Sequence, residues 1–599
     1  MKTLILVESP TKSKTISQYL GKNFLVQASL GHVMDLPKTE PSFDKETFEP
    51  IWVILPKKKK LVSKLQKISQ EVEQIFLATD PDREGEAISA HLEELIKKTQ
   101  KKIYRIRFTE ITKQAILKAV QSPTEIDKNL VEAQKARRVL DRILGYGMSS
   151  SLWSLKPRLS AGRVQSIPLK WICEREEEIQ NFVPKEYYEV KGKFEYNGFV
   201  FEAKLKNEIN LDFIQSLFGN ANFVNNKLKK IIEKPEVFSI SKLERKTQNK
   251  FAPPPFTTSS LQKTLNIKLG LSPTQSMKLL SELYEGVKLR TEYKGLITYP
   301  RTDSTRVSSK GVAMAHNVIQ NLGFEPIYRN FPKSKNKIQD AHEAIRPTDP
   351  SLHPKDLIGK IDKKLQAIYN LIWVRFLSFF FPPAEVEVHT IQLKKQGLVF
   401  ETSWEFLRNP SYLFLEGKQK EESNLPNWNE KEEVLLKELE AEKKFTEPPP
   451  RYTEASLIEK LEKSGIGRPS TYAPTVATLF LRKYAMKKKK IIHPTQLGIE
   501  VNAILQQNFS KFLEDEYTKQ MEESLDKIEE GFLSRKKFLE ICYKDFHTWK
   551  KNISKSSEKT LCPLCKEGEL KTKVSKKGKP YWICSRYPQC EYMKYKDND

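Results

Sequence analysis

Over residues 1 to about 120, short apolar runs alternate with amphipathic stretches. "TLILV" (3–7) and "QIFLATD" (74–80) are continuous apolar blocks that end in polar residues, as strands covered on both faces do. "SPTKSKTISQYL" opens with helix-starting residues, and "EGEAISAHLEELIKK" places Ile88, Leu92 and Leu95 on one helical face. That alternation predicts a parallel sheet with helices on its faces and chemistry at the carboxyl ends of its strands. From about 125 to 180 the spacing is helical, and "NLVEAQKARRVLDRILGYG" predicts an amphipathic helix ending on Gly145. Residues 185–250 and 384–445 alternate apolar and polar positions, as in "YYEVKGKFEYNGFVFEAKL", and predict antiparallel strands. Helical stretches lie between and after them, and no solenoid-type repeat is present.

A chain of 599 residues exceeds one hydrophobic core and implies roughly three to five domains. Lys and Arg number 102 against 76 acids, a net charge of +26 that points to a polyanionic partner, nucleic acid first. The lysine runs at 57–60 and 487–490 read as solvated faces. No apolar run approaches the ~20 residues of a membrane span, and the amino terminus has too short an apolar core for a signal peptide, so no membrane partner is expected and the location expected is cytoplasmic. "SGIGRPST" lacks the lysine of a phosphate-binding loop, so no use of ATP is expected.

Two short stretches carry the chemistry. "LVESPTKSK" sets Glu8 at a strand end with Lys12 just beyond, and "LATDPDREGE" sets Asp80, Asp82 and Glu84 after a second strand. Carboxylates gathered at neighbouring strand ends suit Mg²⁺, which takes one or two of them plus water and phosphate. The alternative is that they only cap the next helix. On spacing alone a nuclease, a primase and a strand-passing enzyme all remain open. In "GLITYPRTDST" the strand-like run Leu296–Tyr299 meets Pro300. Tyr299 is either an ordinary strand-end tyrosine or a nucleophile whose phenolate Arg301, on the same face of an extended chain, would favour.

Of six cysteines, four crowd into the last forty residues as Cys562-x2-Cys565 and Cys584-x5-Cys590, separated by 18 residues. Four thiolates satisfy a structural Zn²⁺, with disulfides the alternative. Cys173 and Cys542 read as core thiols.

Taken in order, "VESPTKSKTI", "SLGHVMDLP", "ATDPDREGEAI", "ARRVLDRILGYG", "LSAGRVQS", "GLITYPRTDST", "DAHEAIRPT" and "YTEASLIEKLEKSGIGRPSTYA" make the chain resemble the bacterial DNA topoisomerase I family of type IA enzymes, over about residues 1–550. The resemblance implies a multidomain architecture of mixed α/β, α and β parts. A Toprim metal-binding domain would span 1–120. A toroidal core would span 121–550, with a helical DNA-binding lobe, a β-rich arch and a tyrosine lobe at about 250–385. A four-cysteine zinc ribbon would span 556–599. It also implies ATP-independent, Mg²⁺-dependent relaxation of negatively supercoiled DNA by a monomer associated with the bacterial nucleoid.

The resemblance carries residue roles as well. Tyr299 would join a 5′ phosphate, and Arg301 would hold that phosphate. Glu8 would protonate the leaving 3′ oxygen and approach the metal held by Asp80, Asp82 and Glu84, while Lys12 touches phosphate and His342 assists. His32, Arg137, Arg138, Asp141, Tyr146, Trp153, Arg163 and Arg482 would line the path of single-stranded DNA. Tyr-Pro-Arg, where this family commonly has methionine in place of Pro300, is frequent in other type IA branches. A topoisomerase III-like decatenase and a non-cleaving DNA scaffold stand as the rival readings.

Overall fold

The computed structural model describes residues 2–37, 42–153, 159–206, 227–331, 343–556, 561–574 and 580–595. Four strands, β1 (Thr3–Val7), β2 (Phe24–Ala28), β3 (Gln74–Leu77) and β4 (Lys102–Arg105), form an all-parallel sheet in the order β2-β1-β3-β4. Every residue of β1 is buried, because its two faces serve two cores. Leu4 and Leu6 pack with Ile88 and Leu92 of the helix Arg83–Ile96, whereas Ile5 and Val7 join a core shared with Ile297 and Tyr299. The sheet therefore presses its second face, and with it the carboxyl ends of its strands, against the segment that carries the candidate nucleophile.

Helix α1 (Pro10–Leu20) starts on Ser9, whose hydroxyl accepts the Lys12 N–H. Helix α2 (Arg83–Ile96) starts on Asp82, whose carboxylate accepts the Gly85 N–H at 2.8 Å. A Cβ on Gly85 would lie 2.1 Å from the Asp80 carbonyl oxygen, so only glycine lets the acidic loop fold this tightly.

Helix α3 (Lys128–Leu152) does not stop at Gly145 as the sequence pattern predicts; it runs seven residues further. The glycine at 147 serves packing instead, since a Cβ there would fall 2.0 Å from the Phe546 ring. With α4 (Arg163–Gln180) and the helices of residues 454–556, α3 builds a separate core around Leu140, Met148, Trp171 and Phe512.

The two alternating regions close into one six-stranded barrel, formed by Glu186–Tyr196, Phe199–Leu205, Lys227–Lys250, Ala384–Lys395, Leu398–Asn409 and Glu433–Phe445. Phe194, Phe201, Phe238 and Phe400 fill it. Asn197 and Gly198, both at positive φ (49° and 79°), make the two-residue turn between its first strands.

Between barrel strands, the described residues of 251–331 and 343–381 form the lobe that carries Tyr299, with helices α5 (Thr258–Leu269) and α6 (Pro273–Glu285). The predicted strand Leu296–Tyr299 is not one. Its N–H groups go to separate segments, that of Leu296 to Leu283, of Thr298 to Arg346 and of Tyr299 to Thr109, so beyond one antiparallel bridge of Ile297 to Pro347 no ladder forms. Helices α7 (Glu454–Lys463), α8 (Tyr472–Leu481) and α9 (Asp515–Glu529) complete the groove lobe. The lysine run at 487–490 spans the turn of a small hairpin, and Lys58 of the other run donates to the Leu30 carbonyl at 2.6 Å. Among the described residues no helix is long and apolar enough to cross a membrane.

Candidate active site and basic groove

Glu8, Lys12, Asp80 and Asp82 sit at the carboxyl ends of β1 and β3, as the alternating pattern requires. Lys12 is fully buried and its ammonium bridges the carboxylates of Glu8 and Asp80. Burial opposes that charge, but Asp80 and Glu8 more than offset it and raise the Lys12 pKa. Burial, reinforced by the Asp80 charge, pushes Glu8 up to about 8, so its carboxyl is protonated at neutral pH. The second Glu8 oxygen, Oε2, is buried without a hydrogen-bond partner.

The Tyr299 hydroxyl, from the opposing lobe, donates to Asp82 Oδ2 at 2.6 Å. Arg301 approaches the same carboxylate oxygen at 3.5 Å, so the i and i+2 side chains converge on one group. Tyr299 is 3% exposed and packs edge-on against Tyr284, with ring centroids 5.3 Å apart. Burial, then Asp80 and Asp82, push its phenol well above the ordinary value against the pull of Arg301. Tyr299 and, against burial, Asp82 and Asp80 hold Arg301 charged.

This closed seam is stitched along its length. Ser9 donates to Glu285 at 2.6 Å, Thr15 to the Glu285 carbonyl at 2.8 Å, and Glu110 pairs with both Lys310 and Arg346 at 3.1 Å. The same lobe also meets the groove lobe, where Lys263 pairs with Glu459 at 2.6 Å.

The acids have separate partners. Glu84 receives the His32 ring at 3.0 Å, Asp80 receives Lys12, and Asp82 receives Tyr299. Among the described residues the four cysteines are the one group of three or more His, Cys, Asp or Glu side chains gathered closely enough for an ion. Mg²⁺ needs only one or two protein carboxylates beside water and phosphate, and the orphaned Glu8 oxygen beside Asp80 fits it.

The cysteines Cys562, Cys565, Cys584 and Cys590 hold their sulfurs within 4.8 Å of one another, unbridged. Closest pairs stand 3.6 and 3.7 Å apart, near the ~3.8 Å edge of a zinc–thiolate tetrahedron with 2.3 Å bonds. The set fits Zn²⁺ rather than disulfides. Cys173 and Cys542 are a half-buried and a buried thiol, each pushed up to about 12 by burial.

Beside the acidic loop, two joined cavities of about 380 and 440 Å³ make a continuous groove. Arg138, Asp141, Tyr146 and Trp153 line the first, and Arg137, Arg163 and Arg482 line the second. Tyr146 and Trp153 expose their rings, with the Arg142 guanidinium 4.9 Å from the Tyr146 centroid. Arg138 is paired with Asp35. Arg163 is fully buried and donates to Glu522 at 2.7 Å, so it braces the groove wall rather than offering a free charge. His342 lies outside the described residues.

Sequence reading missed Arg142, Glu522 and the cluster of Arg83 and Arg468 around Asp526. Arg83 and Arg468 stood inside the quoted motifs, but Glu522 and Asp526 are met only through contacts more than 350 residues apart in the case of Arg163 and Arg83.

Residues 125–540 match the DNA topoisomerase family and residues 3–111 match the Toprim domain. Full-length topoisomerase I from Thermotoga maritima is similar in structure, with a TM-score of 0.81 at 33% sequence identity, over 100% of this chain and 98% of that one.

Proposed function

The chain belongs to the type IA DNA topoisomerases of the bacterial topoisomerase I kind, and from that premise we propose that it relaxes negatively supercoiled DNA, without ATP, through a transient 5′-phosphotyrosine. The observation that carries this reading is the meeting of Tyr299 and Arg301 on Asp82 at a seam between two lobes. A phosphodiester entering that seam displaces the Tyr299–Asp82 hydrogen bond. Asp82 is the nearest base for the phenol proton, and Arg301 turns from the carboxylate to the phosphate.

The Tyr299 oxygen forms its bond to phosphorus as the bond from phosphorus to the 3′ oxygen breaks. Glu8, protonated at neutral pH, gives its proton to that leaving oxygen, with Lys12 holding Glu8 and Asp80 in place. Asp80, Asp82 and Glu84 would hold Mg²⁺, with Glu8 able to join them once it has given up its proton, and the ion would supply positive charge to the phosphate. The phosphotyrosine ester conserves the free energy of the broken bond, so rejoining is the reverse transfer.

Between the two steps the Tyr299 lobe must leave the sheet, carrying the 5′ end while the groove keeps the 3′ side. The groove's arginines suit phosphates, and Tyr146 and Trp153 suit unstacked bases, as binding of single-stranded DNA requires. Four thiolates in the ribbon would hold a structural Zn²⁺. A single-stranded oligonucleotide labelled at either end tests the linkage. After denaturation, label from the downstream fragment should migrate with the protein, and label from the upstream fragment should run free; the opposite pattern would refute the 5′ linkage.

A further inference from the structure

Helix α9 carries Glu522, Asp526 and Glu529 on one face, at i, i+4 and i+7. Four arginines from four other segments converge there. Arg163 of α4 reaches Glu522 at 2.7 Å and Arg137 of α3 reaches it at 3.9 Å. Arg468, ahead of α8, pairs with Asp526. Arg83 splits its guanidinium between Asp526 and Glu529.

Arg83 lies between Asp82 and Glu84, inside the acidic loop. Its side chain is 15% exposed and its two acceptors 11% and 14%, so the fork is largely shielded from water. Asp82 caps its own helix through the Gly85 N–H, and its contacts across the seam, to Tyr299 and Arg301, depart when that lobe swings away. The tie from Arg83 to α9 joins the sheet to the groove lobe and does not cross the seam. It can hold the loop in register while the gate stands open.

We propose that Asp526 and Glu529 are positioning residues for the metal-binding loop, acting through Arg83. The inference rests on the reading of that loop as a metal site. Removing the fork leaves the carboxylates present but lets the loop drift, which weakens metal binding while the strand-binding groove stays formed.

The test uses the full chain carrying Tyr299→Phe, so that no cleavage intervenes. Mn²⁺ binding is followed by electron paramagnetic resonance, and binding of a single-stranded oligonucleotide is followed by fluorescence anisotropy in buffer without added divalent metal. Glu529→Gln should weaken Mn²⁺ binding by about tenfold, the scale set by residues that orient metal ligands, and leave oligonucleotide binding within about twofold. Glu529→Gln removes one arm of the fork and leaves Asp526 paired with Arg83 and Arg468, so it tests the idea even where Asp526→Asn does not fold. Arg83→Lys should weaken Mn²⁺ binding equally, and the double variant should be no weaker than either single one. Unchanged Mn²⁺ affinity in Glu529→Gln, or additive losses in the double variant, overturns the proposal. Absence of Mn²⁺ binding in the Tyr299→Phe parent, together with no adduct from the wild type, would instead remove the metal-site reading beneath it.

Discussion

Tyr299 donates its hydroxyl to Asp82 across a boundary between lobes, at 2.6 Å. The Tyr299 phenol is thus kept buried and, with its pKa pushed up, protonated; in the proposed reaction Asp82 is the group that takes its proton. DNA binding and the opening of the gate begin with the same bond.

Replacing Asp82 by Asn tests that double role. Asparagine can still cap α2, so the fold should survive. Loss of the base should slow adduct formation by about 10²- to 10⁴-fold, measured under single-turnover conditions on an oligonucleotide. A rate within twofold of the wild type would exclude Asp82 as the proton acceptor.

Glu8 gives the cleavage rate a pH dependence. Burial, with the Asp80 charge, pushes its carboxyl up to about 8, and in the proposed reaction the acid form donates the proton, so cleavage should be sustained below that pH and fall as the pH rises through it. Glu8→Gln should lose this alkaline limb together with most of the rate. A substrate with sulfur at the bridging 3′ position, a leaving group that needs no proton, should restore cleavage in the variant. Failure to restore it would move the general acid elsewhere.

The seam is also packed to backbone contact. A Cβ on Gly295 would meet the Tyr284 carbonyl oxygen at 2.6 Å and that of Ile111 at 2.9 Å. Neither can rotate away, so Gly295→Ala should cost roughly 1–3 kcal/mol, read from denaturant unfolding of the full chain. It should also lower adduct yield, because the tyrosine loop is lifted off the sheet. A variant as stable as the wild type would show that the seam tolerates looser closure.

The ribbon should bind one zinc per chain. Metal released by mercurial titration and counted with a chromophoric chelator gives the stoichiometry, and Cys565→Ser should lower it. Chelation should unfold the ribbon without melting the rest of the chain, since its small core is the cysteines themselves with Leu570 and Tyr592 beside them. A chain that holds no zinc and shows its four cysteines in disulfides would reverse this reading.

The sequence pattern conveyed the parallel sheet and the two barrel regions because period-2 alternation and buried apolar runs are local signals. It placed Glu8, Asp80, Asp82, Tyr299 and Arg301 in one chemistry through motif order, and the fold brings Asp82, Tyr299 and Arg301 into contact. It misplaced the end of α3, because a glycine inside a helix, as Gly145 is, looks the same in sequence as a glycine that ends one. It also took Leu296–Tyr299 for a strand, since nothing local reveals that successive N–H groups are claimed by Leu283, Arg346 and Thr109. The acidic face of α9 stayed hidden for the same reason: Glu522, Asp526 and Glu529 resemble any solvated stripe until four distant arginines close over them.

The central claim is that Tyr299 drives strand passage by covalent catalysis. Wild-type and Tyr299→Phe protein, incubated with negatively supercoiled plasmid and Mg²⁺ without ATP, should differ completely on a topoisomer gel. The wild type should give a ladder of stepwise relaxed forms, and the variant should leave the plasmid supercoiled while still binding single-stranded DNA. Relaxation by the variant, or none by folded, metal-supplied wild type, would contradict the account.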